Sequence, residues 1–227
     1  MKNLLVFALL ILFLLGCRTQ EFIFTQNQNS KIELVGEPDY PCQFGYRTAW
    51  YVVKDESPLS VIDKLNLNIS VRSNWENGIK SVYENDYIFV SPNLDGYILV
   101  IGIIRATEDN NIVKGHAMLF DELQYFASHD TVSFYAWARF QNHHLIHAYN
   151  YSGERGEVCW NEGNLTVEEL QLGFDKFPIT DDDSFDDADS PDEESVLSIA
   201  KLWGIDPKFA NDNYEKSTGY LCVFKDG

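Results

Sequence analysis

Four of the five histidines, His129, His143, His144 and His147, fall within nineteen residues. On a helix, His143 and His147 would share a face at i, i+4, a spacing that metal sites use. The flanking residues read as strand instead. That puts both rings on one face but about 13 Å apart, too far to share an ion. The Glu of a His-Glu-x-x-His zinc site is absent, and no metal ligand is assigned. Asp181, Asp182, Asp183, Asp186, Asp187 and Asp189 offer the hard oxygens that calcium takes. A loop begun at Asp181 has no Gly at its sixth position and no Glu at its twelfth. A solvated acidic loop at 180–190 is the expectation. Cys42 and Cys159 could each meet a histidine, and His129-Asp130 could orient a base. Glu154 and Glu157 flank Gly156 as a carboxylate pair suited to glycoside chemistry, although a turn explains them equally well. Gly-x-Ser-x-Gly and phosphate-cradling glycine loops do not occur, so no catalytic residue and no cofactor is assigned. Trp137, Arg139, Tyr149 and Tyr151 would share one side of two paired strands. They form a candidate binding surface or, under a covering helix, part of the core.

The elements that must carry these groups read as follows. Lys31 to Val35 is a first short strand and Thr48 to Val53 a second. Ser57-Pro58 starts a helix, with Ser as cap and Pro in the first turn, and with Leu59, Ile62 and Leu65 on one face. Asn68 to Arg72 is a strand. Asn74 to Tyr83 is a helix weakened by Gly78. Tyr87 to Val90 and Tyr97 to Ile104 form a hairpin across a turn-rich loop. Tyr97 to Ile104 has no polar face, the pattern of a strand covered on both sides. Met118 to Phe126 fits helix and strand alike. Thr131 to Phe140, Leu145 to Tyr151 and Glu157 to Trp160 make an antiparallel meander. Thr166 with Glu169, and Ser190 with Glu193, have capping-box spacing. The second box opens a helix from Pro191 to Trp203 that buries Val196, Ile199, Ala200 and Trp203 and stops at Gly204. Tyr220 to Phe224 is a last strand. The fold class is therefore α+β: a mainly antiparallel sheet with several helices packed on it.

Ahead of this body, Lys2 is followed by an unbroken apolar run of twelve residues, Leu4 to Leu15, then Gly16 and Cys17. As a helix that run rises about 18 Å, short of a hydrocarbon core of about 30 Å, so it reads as a signal peptide over residues 1–16. Leu14-Leu15-Gly16-Cys17 resembles the lipobox of bacterial lipoproteins. The resemblance implies diacylglycerol on Cys17, cleavage before it and fatty acylation of the new amino terminus. Several acyl chains together give a stable membrane anchor. Residues 17–30 would then be a lipidated tether and 31–227 a single domain. Arg18 stands where an Asp would resemble an inner-membrane retention signal, so in a Gram-negative host the outer membrane is expected. Trp75-Glu76-Asn77-Gly78, Asp95-Gly96-Tyr97-Ile98-Leu99-Val100-Ile101-Gly102, Ala136-Trp137-Ala138-Arg139 and Asn150-Tyr151-Ser152-Gly153-Glu154 resemble a layout shared by uncharacterised bacterial proteins. That resemblance implies no activity and no catalytic residue.

The chain has 17 basic and 35 acidic residues, a net charge of −18. Such a surface repels nucleic acid and anionic headgroups and suits a basic partner. With Cys17 acylated, Cys42, Cys159 and Cys222 remain, and export would permit one disulfide among them. The expected function is a membrane-anchored envelope lipoprotein, a non-enzymatic binding module for a basic protein. The alternative is an envelope hydrolase using a His/Glu or Cys/His pair. A deep pocket joining His129, His147, Glu154 or Cys159 would favour the enzyme; a flat acidic face would favour capture.

Overall fold

The computed structural model describes residues 34–55, 57–107, 109–179, 190–210 and 213–225. Residues 1–16, read above as a signal peptide, Cys17, the expected tether and nearly all of the expected acidic loop at 180–190 lie outside the described residues. Ile32–Gly227 form one compact unit. Ten strands build a single sheet: β1 (Leu34–Val35), β2 (Thr48–Lys54), β3 (Leu67–Asn74), β4 (Ile88–Val90), β5 (Tyr97–Ile101), β6 (Glu122–His129), β7 (Phe134–Gln141), β8 (His144–Ser152), β9 (Glu157–Gly163) and β10 (Thr218–Phe224). Their order is β1-β3-β10-β4-β5-β2-β6-β7-β8-β9. Only β1 with β3 is a parallel pair; every other neighbour is antiparallel. Among the described residues the α-helices are α1 (Pro58–Lys64), α2 (Trp75–Asn85), α3 (Asn110–Ala117), α4 (Val167–Leu172) and α5 (Glu193–Trp203). The α+β class read from the sequence is the class observed.

Both faces of the sheet are covered, which is why β5 lacks a polar face. Ile98 and Val100 join Ala49, Tyr51 and Val53 in one core with Val61 and Ile62 of α1 and Val113 and Ala117 of α3. Leu99 and Ile101 join Trp50 and Val52 in a second core with Trp75, Ile79 and Val82 of α2 and the apolar side of α5. Ser57 caps α1, accepting a hydrogen bond from the Ser60 N–H, and Pro58 occupies the first turn. Leu59, expected on the buried side, is 50% exposed; Val61 takes its place, because the helix turns its Val61-Ile62-Leu65 side to the sheet. Gly78 sits mid-helix because α2 crosses the Phe89 ring so closely that a Cβ there would collide with it. Helix α5 is capped by Asp192 with Ser195, not by Ser190 with Glu193, and begins at Glu193. Asp192 has the extended backbone and the carboxylate that the free N–H groups need. The ambiguous stretch 118–126 resolves as a turn over 118–121 followed by the first five residues of β6. Helix α3 was not anticipated: Asn110, Asn111 and Gly115 dilute its pattern, and its cap is Asp109, which accepts from the Asn111 N–H.

Candidate functional site

The site begins as a step in side-chain size along the sheet. On the face beneath α3, Tyr51 of β2 pairs with Tyr125 of β6. These two rings, both fully buried, hold the C-terminal half of α3 above the sheet, and Tyr51 Oη lies 2.9 Å from His116 Nδ1. Burial without an opposite charge holds His116 below the usual histidine range. The next row on this face, toward the strand ends, is Ala49, Ala127, Ala136 and Asn150, in register across β2, β6, β7 and β8. The row beyond it contains His129, Phe134 and Ser152. The fall from tyrosine to alanine leaves room under the N-terminal half of α3. A cleft of about 730 Å³ opens there, with Ala49 and Asn150 in its base and Asp109, Asn110 and Lys114 on its helical wall.

Cys159, Glu154 and Arg155 complete the rim. Cys159 is there because of a bulge: Asn150 pairs with Trp160 and Tyr151 with Val158, which makes Cys159 the extra residue of β9. The thiol is exposed, its Sγ 3.6 Å from Glu157 Oε1. The Asn110 amide reaches across the cleft to donate to the Cys159 carbonyl at 3.4 Å. His129 carries no hydrogen bond to its ring among the described residues.

The three cations at the rim are already engaged. Arg47 donates to both carboxylate oxygens of Asp130, at 2.7 and 3.0 Å. Lys114 donates to Glu162 at 2.7 Å and Arg155 to Glu157 at 3.1 Å. The hydrogen bonds from Arg47 hold the Asp130 carboxyl below its usual range, and those from Lys114 and Trp160 do the same for Glu162. Glu154 makes no salt bridge among the described residues. Asn150, also in the lining, is 3% exposed, and its Oδ1 is buried without a hydrogen-bond partner among the described residues. Native folds seldom leave such a group unpaired.

Trp137, Arg139, Tyr149 and Tyr151, read as a candidate binding surface, lie on the opposite face and are not a surface. Trp137 is 0% exposed. It stacks on Tyr149 at 4.9 Å and is covered by Phe174 at 5.0 Å, from the turn after α4. Tyr149 Oη donates to the Pro178 carbonyl, and Tyr151 is buried. The Arg139 guanidinium lies 5.6 Å from the Trp203 ring, between Glu122 and Glu168. Helices α4 and α5 cover these groups, which is the core alternative that their strand positions also allowed.

The same face holds a buried polar network that the sequence did not reveal. Glu169 Oε1 accepts from Trp137 Nε1 at 2.6 Å and lies 2.6 Å from His147 Nδ1, while Oε2 accepts from the Thr166 N–H at 2.7 Å. Burial pulls this carboxyl upward, but the hydrogen bonds from His147, Thr166 and Trp137 outweigh it and hold it below the usual carboxylate range. The Thr166–Glu169 capping-box spacing was the only signal. His147 is thereby committed to Glu169, while His143 sits in the β7–β8 turn 3.6 Å from Asp121. No disulfide joins Cys42, Cys159 or Cys222 among the described residues. Burial, with the Asp39 and Glu76 carboxylates nearby, pushes Cys42 up to about 11; burial alone pushes Cys222 up to about 12. Of the four residues named as a test for an enzyme, His129, Glu154 and Cys159 line the cleft and His147 does not. Comparison with protein-family models, curated proteins and solved structures finds no match, so the cleft is read from its geometry alone.

Proposed function

We propose that this chain is a lipid-anchored protein of the bacterial cell envelope, held by acyl chains on Cys17, whose cleft binds a small polar ligand. The observation that carries the reading is Asn150, a buried and unpartnered carboxamide in the base of an open cleft. The cleft volume falls in the range that small-molecule sites occupy, and most of the residues that line it are polar or charged, which suits a polar guest. Capture of a basic protein, suggested by the net charge of −18, needs an open acidic face; the cleft suits a smaller guest better.

Native mass spectrometry of the lipoprotein released from its own membranes by mild detergent tests the reading. A small molecule retained by the wild type and missing from Ser152→Trp, which blocks the cleft mouth, is the expected result. Equal occupancy of both proteins, or none in either, would count against it. Hydrolysis in the same cleft is a second reading, favoured by the shared lining of His129, Glu154 and Cys159. It requires turnover of a chromogenic ester or glycoside that is lost in both Cys159→Ala and His129→Ala. Among the described residues no hydrogen bond joins the His129 ring to Cys159, which weighs toward binding, because an activated nucleophile needs a base within reach.

A further inference from the structure

We propose that Asn150 is the anchor of the cleft and that it selects a short, uncharged peptide in extended conformation; this rests on the ligand-binding reading above. A carboxamide displays one acceptor and one donor side by side in a plane. One residue of an extended peptide displays its N–H and C=O along the same edge, the complementary pair. Neither half of the Asn150 amide has a hydrogen-bond partner among the described residues. Its Oδ1 is buried and unpartnered, and no hydrogen bond to its nitrogen occurs among the described residues. Its neighbours across the sheet offer no substitute. Ala136 carries no polar atom, and Trp160 already donates its ring N–H to Glu162 at 3.1 Å.

Charge then restricts the ligand. Arg47, Lys114 and Arg155 each hold a carboxylate, so among the described residues every Lys or Arg of the rim already has an acidic partner that a phosphate or a free carboxylate would have to displace. Glu154, without a salt bridge among the described residues, repels anions further. Size agrees as well. Phe134 and Ile104 provide apolar lining for small side chains beside the polar anchor.

The test is calorimetric titration of the detergent-solubilised full lipoprotein with N-acetyl-Ala-Ala-N-methylamide. The comparison ligands are its depsipeptide analogue, in which an ester oxygen replaces the central N–H, the same dipeptide with a free carboxylate, and N-acetylglucosamine. The neutral dipeptide is expected to bind and the depsipeptide to bind about tenfold more weakly or worse, the loss of one buried hydrogen bond. Asn150→Leu is expected to lose at least as much affinity with its unfolding midpoint unchanged or raised, which separates a binding role from a structural one. Equal affinity for Asn150→Leu and wild type, tighter binding of the free carboxylate, or binding of the sugar alone would overturn the inference. If the neutral dipeptide fails while native mass spectrometry still finds a retained small molecule, this inference falls and the ligand-binding reading stands. If neither is seen, both fall.

Discussion

Replacing Glu169 by alanine removes the acceptor for three donors at once: the buried Trp137 Nε1 and His147 Nδ1 and the half-buried Thr166 N–H. Three charge-assisted hydrogen bonds at about 1.5–3 kcal/mol each set an upper bound near 5–9 kcal/mol. The substitution also releases the cost of burying the carboxylate, several kcal/mol, so the net loss is about 3–5 kcal/mol. For a domain of this size that lowers the unfolding midpoint by roughly 6–20 °C. The cost should appear in urea unfolding followed by tryptophan fluorescence, since Trp137 itself loses its partner. The pH dependence has a definite sign. Glu169 is depressed in the folded state, so its contribution is fully present above the unfolded carboxyl value of about 4.3 and is lost as pH falls through the folded one. The gap between wild type and Glu169→Gln is therefore expected to be constant near neutrality and to narrow below about pH 4. A loss under about 1 kcal/mol for Glu169→Ala, or a gap that widens on acidification, would refute the reasoning. The network matters to the site because Trp137 and His147 belong to β7 and β8, the strands whose other side presents Ala136 and Asn150 to the cleft.

Three further outcomes are expected. Gly78→Ala should destabilise by about 1–3 kcal/mol in urea unfolding, because overpacking against Phe89 outweighs the better helix propensity of alanine; a stabilised variant would contradict the close approach of α2. In the native protein a thiol reagent near neutral pH should modify Cys159 rapidly and leave Cys222 untouched until the chain unfolds, since one is exposed and the other buried with a raised thiol; fast labelling of Cys222 would show the sheet to be open there. Mass spectrometry of the mature protein should find acylated Cys17 at the amino terminus, whereas an intact Met1 or an unmodified Cys17 would remove the proposed anchor.

Much of the architecture was legible because local chemistry dictates it. Ser57-Pro58 can hardly be anything but a helix start, the Tyr97–Ile104 run demands cover on both sides although the strand itself ends at Ile101, and the meander read over 131–160, observed over 134–163, announces itself through its turns. The site was not legible, for reasons of register. Ala49, Ala127, Ala136 and Asn150 lie on four strands, and only the pairing of β2, β6, β7 and β8 brings them into one row. Seen locally, Asn150 is a polar residue between two tyrosines, with nothing to show that its amide is buried and unpaired. Trp137 and Tyr149 illustrate the converse. Their side of the strand was correctly grouped, but what covers a strand face comes from elsewhere in the chain, here α4 and α5. Helix α3 went unread because its stability comes from packing Val113 and Ala117 on the sheet and from the Asp109 cap, not from propensity.

The central claim is that the cleft holds a polar group unpaired for the benefit of a ligand. The unfolding free energy of Asn150→Leu tests it most directly. Exchanging an unsatisfied buried amide for an apolar group of similar shape removes a desolvation cost of about 1–3 kcal/mol and breaks no hydrogen bond among the described residues. The variant is therefore predicted to be as stable as the wild type or more so, measured without added ligand. A loss of more than about 1 kcal/mol would mean that Asn150 serves the fold and would contradict the account.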